Sequence, residues 1–153
     1  MSEIVFNDGQ SNTSPCEAYA TREDIEMIFG AENVSKWADL DNDQNALKIE
    51  ARVSWALCLA KERLDDKLRG SLYTIPFADP APRTIIDVNA RMAGVLLYES
   101  RGIIDMDANG NPVHQLAPHS KLADATIRDI IAGRIVLAVD SVSRTYPTVV
   151  EQE

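Results

Sequence analysis

Cysteine is scarce in this 153-residue chain, with Cys16 and Cys58 the whole complement. One stands in a polar leader and the other inside an apolar helical pattern. Two such residues do not make the dense framework of a disulfide-stapled secreted scaffold, so both are expected as free thiols in a reducing cytoplasm. No apolar run approaches the roughly 18 residues that a membrane span needs, and no basic stretch followed by an apolar one opens the chain. Neither a span nor a secretion signal is expected. Glycine-rich phosphate loops, nucleophile elbows and paired-metal motifs are also missing, which leaves catalysis without a candidate residue and predicts no cofactor. Basic charge is scarce as well: 15 Lys and Arg face 24 Asp and Glu, a net charge of -9. Residues 1–45 hold ten acids and two bases, net -8, so the acidity belongs to the N-terminal third. Proteins that grip nucleic acid carry the opposite sign, because Lys and Arg neutralise phosphates. Tight DNA binding is therefore disfavoured.

What is present is an ordinary globular composition, 45% hydrophobic and 25% charged, at the common size of one domain with one core. Residues 1–18 lack periodicity and read as a flexible or extended arm, with order beginning near Tyr19. Thr21 with Asp24 resembles a capping box, and Ile25, Ile28 and Phe29 give one apolar face before Gly30. A second short helix around Val34 to Ala38 carries Trp37. From about Ala46 to Arg69 neither Gly nor Pro occurs, and Ile49, Val53, Leu57, Ala60, Leu64 and Leu68 recur at helical spacing. Asp65 with Arg69 forms an i,i+4 pair, and Asp65-Asp66 reads as surface charge on this helix. Residues 71–82 contain three prolines and the apolar group Leu72, Tyr73, Ile75 and Phe77, an extended connection that offers a candidate protein interface.

The next helix is expected over Arg83 to Ser100. Its Ile85, Ile86, Val88, Met92, Val95, Leu96 and Leu97 leave little polar face, which puts it at the centre, and Gly94 suits close helix contact. Residues 103–119 read as a loop turning at Asn109-Gly110. A last helix runs from about Ser120 to Ala132, with Ala123, Ile127, Ile130 and Ile131 on one side. Ile135 to Val139 is β-compatible. Residues 140–153 form a second extended arm whose Val142, Tyr146, Val149 and Val150 are further interface candidates, able to add a strand to a neighbour. The fold expected is all-α: an antiparallel helical bundle of two short and three longer helices over residues 19–139, flanked by the two arms.

Three patterns imitate chemical sites. Asp39, Asp41, Asp43, Asn45 and Glu50 fall at ligand positions of an EF-hand calcium loop, with Gln44 where the sharp turn wants Gly; an N-capping acidic turn explains them too. Asp105, Asp107, Asn109 and Gly110 make a partial second copy that ends on Leu116 instead of Glu. His114 and His119 share that loop, but zinc would prefer paired Cys partners, and surface placement is expected. No metal site is predicted. Trp37, Trp55 and Tyr98 are expected as packing anchors, since no basic surface accompanies them for base stacking.

The order of features resembles the small helical proteins of the head-gene cluster of Mu-like phages, related to connector or head-completion proteins of other tailed phages. The motifs are Tyr19-Ala20-Thr21 with Asp24-Ile25 and Phe29-Gly30; Leu64-Asp65 with Leu68, Gly70, Tyr73 and Ile75-Pro76; Leu97-Tyr98 with Arg101-Gly102; and Ala132-Gly133-Arg134-Ile135 with Leu137. Leu72 stands where the family tends to have Arg before the Tyr. The resemblance implies a non-enzymatic virion protein at the head–tail junction, assembled in the host cytoplasm. It also implies a homo-oligomeric ring, commonly of twelve copies, docked on the portal protein and meeting a tail-side connector or terminator protein. DNA would pass through it without specific binding. Two alternatives from other classes are a calcium-binding helical module using residues 39–50 and a DNA-binding helical regulator.

Overall fold

The computed structural model describes residues 16–102 and 105–139. It is mostly helical: among the described residues there are five helices and one two-stranded sheet. Helix α1 spans Arg22–Phe29, α2 Ala31–Ala38, α3 Ala46–Leu68, α4 Arg83–Arg101 and α5 Ala117–Ile131, with strands β1 (Asp105–Met106) and β2 (Pro112–Val113) between α4 and α5. None of these helices is long and apolar enough to cross a membrane.

Local chemistry fixes the helix starts. Thr21 closes the expected capping box, its hydroxyl accepting from the Asp24 amide while the Asp24 carboxylate accepts from the Thr21 amide at 2.8 Å. Gly30, at φ 96°, ends α1 and at once begins α2, a backbone turn that an L side chain would strain. Asn45 caps α3 by accepting from the amides of Leu47 and Lys48. Pro82 precedes α4, where its missing N–H takes nothing from the helix.

Helix α4 touches all four other helices. Its residues feed two hydrophobic clusters. One joins Ile25, Phe29, Trp37, Val53 and Leu57 to Ala90, Ala93, Leu97 and Tyr98. The other joins Leu64 and Leu68 to Ile85, Val88, Ile127 and Ile130, and is finished by Tyr73, Phe77 and Leu137 from non-helical chain. Gly94 provides the close contact its sequence position suggested: a Cβ there would overlap the Phe29 ring.

Several expectations are corrected. Cys16 and Cys58 are not free thiols; they form a disulfide, with Cα atoms 5.8 Å apart and a sequence separation of 42. The bridge fastens the chain before Tyr19, and Ala18 packs against the core, so residues 16–18 belong to the folded body and not to a flexible arm. Trp55 is 45% exposed on the outer side of α3 and anchors no core. Leu96 is half-buried while its neighbour Leu97 is buried, and Ile131 is exposed. Helix α5 begins at Ala117, three residues early, which moves His119 from the loop onto the helix. The loop around Asn109-Gly110 contains the β1–β2 hairpin, Asp105 pairing with Val113 and Met106 with Pro112. Ile135 to Val139 forms no strand among the described residues; Leu137 is buried and Val136 exposed along irregular chain.

Candidate functional site

The buried polar groups of the structure work as fasteners between segments. Asp65 is 3% exposed, so it is not the surface charge its neighbour Asp66 suggested. Its carboxylate accepts from the Tyr19 hydroxyl at 2.6 Å and meets the Lys61 ammonium at 3.2 Å, one helical turn back. Lys61 also lies over the Tyr19 ring, 5.1 Å from its centre. Arg69 pairs with Asp66 instead of Asp65. Burial, reinforced by the Asp65 carboxylate, raises the Tyr19 phenol well above its ordinary value, so the hydroxyl stays protonated and donates. That same oxygen accepts from the Phe77 amide at 3.0 Å. One side chain thus joins the start of the described chain, helix α3 and the proline-rich connection.

Asn89 is the second fastener, fully buried on α4. It accepts from the Ala20 amide at 2.9 Å and donates to the Leu57 carbonyl at 3.3 Å. Sequence reasoning passed over it. The signal was available: Asn89 is the polar residue amid Ile85, Val88, Ala93 and Leu97, and a polar side chain at a core-facing position must find partners there.

The interface expected on residues 71–82 is corrected in part. Tyr73 and Phe77 are buried in the chain's own second cluster, leaving little side chain for a partner; Leu72 and Ile75 are half-buried against it. The Tyr73 hydroxyl accepts from the Leu137 amide at 2.8 Å and holds the segment that follows α5. Val142, Tyr146, Val149 and Val150 lie outside the described residues.

The calcium-like turn is organised around a lysine. Lys48 reaches Asp43 at 2.9 Å and Asp41 at 3.1 Å, lowering the Asp43 carboxyl by direct hydrogen bonding and raising its own ammonium. Asp39 accepts from the amides of Asp43 and Gln44, Asn45 caps α3, and Glu50 pairs with Arg22 at 2.8 Å. The oxygens of the motif therefore serve capping and ion pairing. Arg101 fastens this turn to the end of α4 through the Asp39 carbonyl and, at 2.6 Å, the Asn42 side chain.

The two histidines are kept apart. His114 meets Glu99 at 2.9 Å and lies against the Tyr98 ring. His119 meets Arg91 at 2.7 Å and lies against Phe29, 4.7 Å between ring centres. In the hairpin, Asp107 accepts from the amides of Asn109 and Asn111, the latter bond chiefly lowering its carboxyl, while Asp105 accepts from the Tyr98 hydroxyl at 2.7 Å and raises that phenol. Among the described residues no three His, Cys, Asp or Glu side chains converge as a metal cage.

Two open grooves flank α4. One lies between α1 and α5, with Met27, Ile86 and Leu122 along it; the other lies between α3 and α5, floored by Met92, Val95 and Leu96. Both are open and mixed in polarity. The chain matches no protein-family model, and no curated protein and no solved structure is significantly similar to it.

Proposed function

We propose that the chain is a structural, non-enzymatic subunit of the head–tail connector ring of a tailed phage, seated on the portal and surrounding the DNA channel. The observation that carries this reading is where the phage-like motifs meet. Tyr19 bonds to Asp65 of the second motif, Phe29 of the first nests on α4 beside Leu97 and Tyr98 of the third, and Tyr73 of the second bonds to Leu137 of the fourth. Motifs spread over about 120 residues thus form the joints of a single framework, as expected for a signature of architecture and not of chemistry. The net charge of -9 also suits a wall past which DNA slides without sticking.

In this reading the helices form an antiparallel bundle. The clusters support the antiparallel sense: the first half of α3 packs on the second half of α4, and the second half of α3 on the first half of α4. Co-expression of the full chain with the portal protein of the same genome, followed by electron microscopy, tests the reading. A ring of this chain on the portal is expected, commonly of twelve copies; a chain that remains unattached beside assembled portals overturns it.

A further inference from the structure

Helix α3 buries Val53, Leu57, Ala60 and Leu64 toward α4, yet apolar residues also recur on its outer side. Leu47, Ala51, Trp55 and Leu59 stand at successive four-residue steps, which places them in one stripe. Leu47 is 82% exposed and Trp55 45%; Ala51 is exposed and Leu59 half-buried. Arg52 and Glu62 flank the stripe. Both are exposed, and neither has an ion-pair or hydrogen-bond partner among the described residues. Most other charges on this helix are spent: Lys48 on Asp41 and Asp43, Glu50 on Arg22, Lys67 on Asp124.

We propose that the isolated chain forms a two-fold dimer through this stripe, α3 of one copy lying antiparallel on α3 of a second. A two-fold contact must be self-complementary, each residue facing the one equally far on the other side of the axis. With the axis midway between Trp55 and Leu59, Trp55 of each copy meets Leu59 of the other. Arg52 of each copy then meets Glu62 of the other, three positions farther out on either side. One register therefore covers Trp55 and Leu59 and sets Arg52 against Glu62 twice over, while Arg63, the third exposed charge of α3 without a partner among the described residues, faces Ala51 of the other copy. A parallel pairing in register would set Arg52 against Arg52 and Glu62 against Glu62. Trp at the centre with charges at the rim is also the usual anatomy of a protein contact. This pairing concerns the chain alone and stands or falls independently of the ring reading.

Sedimentation velocity on the full chain at high micromolar concentration tests it. A mass twice the 16.9 kDa of the monomer is expected. Trp55→Glu should give a monomer with an unchanged melt, because the side chain is half in solvent. Arg52→Glu alone, or Glu62→Arg alone, should raise the dimer dissociation constant by about tenfold, and the two together in one chain should restore it. The double exchange separates this register from any other use of the face, and it decides the question even if Trp55→Glu disturbs folding. A wild-type monomer, a dimer indifferent to the single charge reversals, or a double exchange that restores nothing would each overturn the proposal.

Discussion

The two hydrophobic clusters bury similar residues but are closed differently. Around Phe29, Trp37 and Tyr98 the walls are helices, and closure comes from small residues, Ala56, Ala60, Ala90, Ala93 and Gly94, that let backbones approach. Around Leu64, Leu68 and Ile127 the helices α3, α4 and α5 leave gaps in the wall. Irregular chain carrying Tyr73, Phe77 and Leu137 fills them, held where the Phe77 amide donates to the Tyr19 hydroxyl and the Leu137 amide to the Tyr73 hydroxyl. The first cluster depends on fit and the second on fastening, so each should fail under a different kind of substitution.

The largest effect is expected where a charge enters the helix-walled cluster. Leu57→Asp places an unpaired carboxylate among Val53, Trp37 and Leu97, a change of several kcal/mol against a total stability of roughly 5–15 kcal/mol. Loss of the cooperative melt is expected. Leu96→Asp on the neighbouring helix should melt cooperatively, because Leu96 borders the open groove between α3 and α5. If both variants fold, or neither does, the boundary drawn between core and groove is wrong.

Next comes a test of fit. Gly94→Ala pushes a methyl group into the Phe29 ring, and overpacking of this kind costs about 1–3 kcal/mol. Phe29→Leu in the same chain should recover part of the loss, a coupling that denaturant titration of the four-membered cycle would reveal. Strict additivity would mean that the ring is not what excludes a side chain at this position.

The fastened cluster should respond to a smaller change. Tyr73→Phe keeps the ring but leaves the Leu137 amide without its acceptor, and an unsatisfied buried donor costs about 1–3 kcal/mol. The loss should be local. Faster hydrogen exchange at Leu137, with slow exchange retained in α3, would mark the segment after α5 as a strap; unchanged protection would show that packing alone holds it.

The same contrast explains what the sequence revealed. Helical periodicity located α1 to α4 closely, since Ile25, Val53, Leu57, Leu64 and Ile85 all sit on buried faces. Periodicity reports faces, however, and not which neighbour covers them. Trp55 carried an apolar signal without a neighbour, and Asp65 a charged signal under one, Tyr19 being 46 positions away. Cys16 and Cys58 likewise gave no local sign of their pairing, because only the fold brings the leader to α3. Of the interface candidates, Tyr73 and Phe77 were legible as apolar, but apolar character alone does not distinguish a surface that waits for a partner from one the chain covers itself.

The smallest effect concerns pH, at the edge of the helix-walled cluster. His119 lies against Phe29 with Arg91 beside it and Asp87 nearby; burial, and then the positive guanidinium, lower its pKa, while Asp87 acts in the opposite direction. The folded chain therefore favours neutral imidazole, whereas the unfolded chain takes up a proton near the ordinary value of 6.5. Stability from this group is complete above that value and is lost as pH falls through the lowered folded pKa. The melting temperature should thus decline as pH falls below about 6.5, and His119→Phe, which keeps an aromatic ring on Phe29, should flatten that decline. A His119→Phe chain that keeps the full decline would move the pH sensitivity to other groups and leave Arg91 and Phe29 as a purely structural contact.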